Sequence, residues 1–266
     1  MAKDSRHMAN TTHRSDPIHG RYFVALDKAD IWANRVFYFT ALVSVVVLFV
    51  ERSEHPLLFS LLNVVFALAV VAVFGIGLAV RLYWMPRADA ARLQDFFAKA
   101  YDIPLTHITT TGYYNNDATD AVRRVAAQAL ENALFSKSIA LKMLFRERWR
   151  AVMYAAVWAL AAINRTTDIG LVVGFSQIVF SEQIVSRWFR LEWLRQKFEV
   201  TYSTLYQLFQ SDPTSSASFR AQAVAAFVMY ESAKANAAVT LSSDDFHELN
   251  PTLTVEWEQV KKALNI

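Results

Sequence analysis

Two groups of residues carry types and spacings that could do chemistry. The first is Gly170, Gly174, Gln177 and Ser181, spaced four, three and four, with Glu182 directly after them. On a helix such spacing puts all four on one stripe. The G-x-x-x-G at its start permits close backbone approach between helices in lipid. Gln177, Ser181 and Glu182 are costly against acyl chains and must face protein or water. The stripe therefore reads either as a tight packing surface or as the wall of an aqueous path in an oligomer. The second group is Tyr113, Tyr114, Asn115 and Asn116, followed by Arg123 and Arg124. Stacking rings, amides and guanidiniums suit a phosphate-bearing ligand or a single strand of nucleic acid. A solvated helix N-terminus after an Asn-rich turn gives the same pattern.

Other chemistries find no support. There is no G-x-x-x-x-G-K-[ST], H-E-x-x-H or G-x-S-x-G, and no His/Asp pair at metal-ligand spacing. His107 and His247 stand alone. With no cysteine, thiolate metal sites, disulfides and thiol nucleophiles are impossible, and six glycines are few for loops that cradle phosphate. No catalytic residue, metal or cofactor is expected, and the chain is read as a non-enzyme.

The elements that must position these residues are set by hydropathy. Residues 57–80 form a 24-residue run without one charge. As a helix it would be about 36 Å long, enough to cross a hydrocarbon core of about 30 Å with some tilt. Residues 31–50 reach about 30 Å if Arg35 snorkels to the interface. Glu51, Arg52, Glu54, His55 and Pro56 make a tight polar turn between them, giving a transmembrane hairpin. Two shorter runs, 151–163 and 169–181, flank another polar turn at 164–168. Each covers only about 20 Å, so a second hairpin needs Trp149 and Arg150 at one end and residues 182–188 at the other. A pair of buried helices is the alternative.

Between and after the hairpins the pattern is helical and polar. Residues 88–101 are amphipathic, with Leu93, Phe96, Phe97 and Tyr101 on one face. Pro104, a threonine run and Gly112 break helicity across 101–117. No Gly or Pro interrupts 118–164, where Asp117 or Thr119 can cap a helix about 70 Å long. Residues 182–210 are helical and aromatic, and are expected to pack on 118–148. Residues 218–241 form an Ala-rich helix. Asn250-Pro251 marks a turn, and 255–264 form a final short helix anchored by Trp257.

The fold class expected is an all-α membrane protein of two hairpins, four spans in all, whose long helices extend into a cytosolic helical domain. Its divisions are a disordered tail (1–20), the first hairpin (21–81), a helical insert (82–148), the second hairpin (149–188) and a helical C-terminal region (189–266). The polar tail lacks an apolar h-region and is no signal peptide. The short turns hold only Arg52 and Arg165 as cations. The opposite ends collect Arg21, Lys28 and Arg35, then Arg81, Arg87 and Arg92, then Arg146, Arg148 and Arg150, then Arg187, Arg190, Arg195 and Lys197. By the positive-inside rule both termini and the insert are cytoplasmic.

The two tight hairpins, the long insert and the helical tail, with the turn YDIPLTHITTTGYYNND after the amphipathic 93–101 helix, resemble the SMODS-associated four-transmembrane effectors of bacterial anti-phage defence. The resemblance implies a pore-forming effector in the bacterial inner membrane, controlled by the nucleotide product of a partner nucleotidyltransferase. It offers no catalytic residues to carry over. The partners expected are membrane lipid, further copies of the chain (a tetramer favoured), and a nucleotide or single-stranded oligonucleotide. A non-conducting scaffold that recruits a soluble partner through its helices is the competing class. A small transporter is disfavoured, because broken helices and internal repeats are missing.

Overall fold

A computed structural model describes residues 15–114, 116–163, 182–211, 213 and 215–266. Among them the architecture is all-helical. A wider π turn, His19–Phe23, leads into α1 (Val24–Leu48). The chain reverses through the polar turn, where His55 N–H donates to the Glu51 carbonyl at 3.0 Å. Pro56 starts α2 (Pro56–Ala79) at a position where its missing N–H costs nothing. A second π turn, Val80–Trp84, joins α2 to α3 (Met85–Tyr101) without a break. The resulting 46-residue helix is roughly 69 Å long.

Two helices, His19–Val47 and Pro56–Tyr101, are long and apolar enough to cross a membrane. Their apolar side chains are uncovered: Leu57 is 86% exposed and Phe74 68%. The core helix of a soluble domain would have buried such residues.

Asp102 ends α3 in the left-handed region (φ 56°), and the next helix begins only at Ala121. The long expected helix is α4 (Ala121–Ile163), 43 residues and about 65 Å. Its cap is Asp120 rather than Asp117 or Thr119; the Asp120 carboxylate accepts from the Arg123 N–H at 2.9 Å. A third π turn, Glu182–Ser186, opens α5 (Arg187–Ser211). Ser216 caps α6 (Ala217–Ala237) and Ser242 caps α7 (Ser243–Leu264), each hydroxyl accepting an N–H three residues on.

The first half of α4 is the axis of a bundle formed with α3, α5, α6 and α7. Ala126, Ala127, Ala129, Ala133 and Ala140 on α4 are fully buried, as is Ala223 on α6, so these helices approach closely. Phe198, Leu205, Phe219 and Trp257 fill the spaces between them. The alanine-rich composition of 217–237 thus reflects packing against α4 and α5. Towards its end α4 carries exposed apolar side chains, with Val152 55%, Leu160 70% and Ile163 78% exposed.

Two expectations are corrected. Asn250-Pro251 is not a turn: α7 runs through it from Ser243 to Leu264. Proline removes one helical bond and strains its turn. Here Pro251 is exposed, so the carbonyl it leaves unpaired meets water, while Leu253, Trp257, Val260 and Leu264 stay buried on α4. Residues 15–20, expected within the disordered tail, are ordered. Ser15 pairs in an antiparallel bridge with Thr111, and Ile18 is fully buried. The expected turn at 164–168 and the fourth apolar run lie outside the described residues.

Candidate functional site

The loop after α3 is pinned at its far side by Asp95, a fully buried carboxylate on α3. Asp95 accepts the Thr110 N–H at 3.0 Å and the Thr110 hydroxyl at 2.7 Å. Thr111 then exchanges backbone hydrogen bonds with Ser15, at 3.0 and 2.9 Å. Gly112 takes φ 62°, a conformation that suits a residue without Cβ, and turns the chain inward. Tyr114 consequently lies against the core, its ring edge-on to Phe96 at 5.6 Å and to Tyr113 at 5.0 Å. Burial raises the pKa of its phenol, which stays protonated.

Behind these rings is a polar cavity of about 280 Å³. Tyr113, Tyr114, Asn116 and Arg124 line it, together with Lys99, Asp117 and Gln128. The Tyr114 hydroxyl, the Asn116 Oδ1 and the Gln128 Oε1 are buried with no hydrogen-bond partner among the described residues. Gln128 is only 2% exposed. Buried polar atoms are rarely left unmatched. Three of them around one cavity, beside the cations of Lys99 and Arg124, make a pocket that can match the amide edge of a base and a phosphate together. Arg124 is held by the Lys99 and Thr119 carbonyls, both at 3.3 Å. Ligand pockets run about 300–1,000 Å³, and this one lies at the small end of that range.

Four of the six residues expected in a ligand site are therefore gathered here. Asn115 lies outside the described residues. Arg123 points elsewhere and donates to the Asn265 carbonyl at the end of α7. Gln128 and Lys99 were missed. Gln128 had a legible signal, because it is a polar residue among Val125, Ala126, Ala129 and Leu130 on the apolar face of α4.

The pocket loop is also tied to the start of the first apolar helix. Arg92 pairs with Asp16 through two hydrogen bonds, at 2.8 and 3.2 Å. Its guanidinium sits 4.5 Å from the Tyr113 ring and 5.3 Å from the Phe23 ring. At the other end of the bundle, Arg187 on α5 binds Asp30 on α1 at 3.0 and 3.2 Å and lies 3.6 Å from Glu147 on α4. Phe37, Ala151 and Ile184 pack together beside that junction. Of the residues expected to line a pore, Gly170, Gly174, Gln177 and Ser181 lie outside the described residues. Glu182 opens the third π turn.

Elsewhere in the bundle, the buried Tyr230 and Ser136 hydroxyls share a 2.8 Å hydrogen bond. Burial pushes the Tyr230 phenol up to about 12 against the opposing charge of Lys234, with Glu231 adding to the rise. The unfolded chain loses this proton first, at its ordinary value of 10.0. The stability linked to it is thus full below that value and declines as pH rises from there to about 12. Thermal unfolding followed by circular dichroism across that range should show the decline, and Tyr230→Phe should flatten it.

No family model, curated protein or solved structure matches the chain.

Proposed function

We propose that the chain is a membrane effector whose cytosolic bundle senses a nucleotide and gates an oligomeric pore. The bilayer would be a bacterial inner membrane with both termini in the cytoplasm, as the resemblance to the four-transmembrane defence effectors implies. The four-span topology, with 151–163 and 169–181 as the second hairpin, belongs to this reading.

One observation carries it. The loop that lines the polar pocket is hydrogen-bonded in both directions to Ser15, and its Tyr113 stacks on the arginine that holds Asp16. Four residues after Ser15 the helix begins that continues into the first candidate span. A ligand that draws the loop inward would pull on that helix without an intervening hinge. The energy for gating is the difference in ligand affinity between closed and open states. Lys99 and Arg124 would hold phosphate, while Gln128, Asn116 and Tyr114 would read the base. The reading assigns no catalytic step.

The scaffold reading has one observation in its favour. Val224, Val228 and Met229 on α6 are 47%, 53% and 51% exposed, an apolar patch on the bundle's outer surface.

The site assignment is tested by calorimetric titration of the purified full chain with mononucleotides, cyclic dinucleotides and short single-stranded oligonucleotides. Arg124→Gln should weaken binding of the active compound by roughly ten-fold or more, the loss of a charge-assisted contact. Arg123→Gln should leave binding within about two-fold, because Arg123 serves the α7 terminus. Equal affinity for wild type and Arg124→Gln would remove the pocket from the account.

A further inference from the structure

We propose that the groove between α1 and α2 is a binding site for one anionic phospholipid of the cytoplasmic leaflet. The inference rests on the hairpin lying in a bilayer, as the proposed function does.

The groove encloses about 560 Å³. Its walls are apolar over most of their length, with Phe37 and Ala41 on α1 facing Phe66, Val70 and Phe74 on α2. The rise from Asp30 to Ser44 along α1 is about 21 Å. That exceeds half of a hydrocarbon core of about 30 Å, so the groove runs the depth of one leaflet. Gly77 stands in its wall, and a Cβ built there meets no atom within 4 Å. The space beside Gly77 is therefore open.

At one end only, the lining changes character. Arg81, Arg187 and Arg190 stand there with one carboxylate, Asp30. Asp30 is already bound to Arg187, whose other neighbour is Glu147. Arg81 is exposed and makes no ion pair among the described residues. The groove therefore offers a long apolar slot with surplus positive charge at a single mouth. Its complement is an amphiphile with an anionic head, and in a bilayer that is an acidic phospholipid. One acyl chain would lie along Phe37, Val70 and Phe74, and the phosphate would meet Arg81.

The site also has a position in the gating path. Asp30, Arg187 and Glu147 join α1, α5 and α4 at this mouth. A phosphate bound there would compete with Asp30 and Glu147 for the Arg187 guanidinium, so lipid identity would bias a second junction on the same first helix whose start the pocket loop holds.

The test is native mass spectrometry of the full chain in a neutral detergent, titrated with phosphatidylglycerol or phosphatidylcholine. Wild type should retain one phosphatidylglycerol per chain, with a preference of about five-fold over phosphatidylcholine, the contribution of one cation facing an anionic headgroup. Arg81→Gln should erase the preference while retaining the acyl chain. Gly77→Leu should abolish retention of both lipids with helix content unchanged, because leucine fills that open space and is the better helix former. Equal retention of the two lipids by wild type would overturn the proposal. So would retention unaffected by Gly77→Leu, which would place the lipid elsewhere or give the groove to another segment or copy of the chain. Displacement of phosphatidylglycerol by inorganic phosphate would show a site for free phosphate instead. A chain that stays folded and dispersed without any detergent would remove the bilayer itself, and the proposed function with it. A chain that requires detergent but does not discriminate lipids removes only this inference.

Discussion

Trp257→Ala is expected to destabilise the bundle by about 3–5 kcal/mol, the range for emptying the space of a fully buried large aromatic. Trp257 is 0% exposed and sits in the main core with residues of α4, α5 and α6. Smaller side chains cannot slide into the void, because the alanine faces of α4 and α6 are already in contact. The neighbouring Val255 is 60% exposed, and Val255→Ala should change stability by less than about 0.5 kcal/mol. Thermal unfolding in a fixed detergent, followed by circular dichroism, compares the two.

Asp95→Ala is the second large effect. The substitution removes a charged acceptor and strands both the Thr110 N–H and its hydroxyl in a buried place. Each stranded group costs about 1–3 kcal/mol, and a total of about 3 kcal/mol is expected. Asp95→Asn keeps one acceptor and should lose about half as much. Because the loop from Thr110 to Asn116 depends on this anchor, Asp95→Ala should also abolish nucleotide binding and expose the Thr111 N–H to hydrogen exchange. Thr110→Val combined with Asp95→Ala should cost less than the sum of the two single changes, since each removes the other's partner.

The long helices were legible because their signals are local. A 24-residue charge-free run and a stretch from 118 to 164 without Gly or Pro specify helix whatever surrounds them. The helical ends were less legible. Asp117, Thr119 and Asp120 are all competent caps, and only the position of the first core residue on α4 selects Asp120. Pro251 misled because the local rule is outweighed by four buried side chains further along the same helix face. The polar cluster at 113–124 was visible as composition, yet its geometry was not. Whether Arg123 or Arg124 enters the pocket depends on a rotation of 100° about α4, which long-range packing decides. Asp95 gave no sign at all, because its partner is fifteen residues away across a loop. Among the described residues π turns lie at His19–Phe23, Val80–Trp84 and Glu182–Ser186, the second of them where apolar α2 meets charged α3. No residue pattern announces them.

The measurement that bears most directly on the central claim is ion flux from liposomes containing the purified full chain. It is made with and without mononucleotides, cyclic dinucleotides and short single-stranded oligonucleotides. The account expects flux that one of these compounds switches on or off, and loss of that response in Arg124→Gln. Well-inserted, oligomeric protein that stays impermeable under every compound would contradict the pore and leave the scaffold.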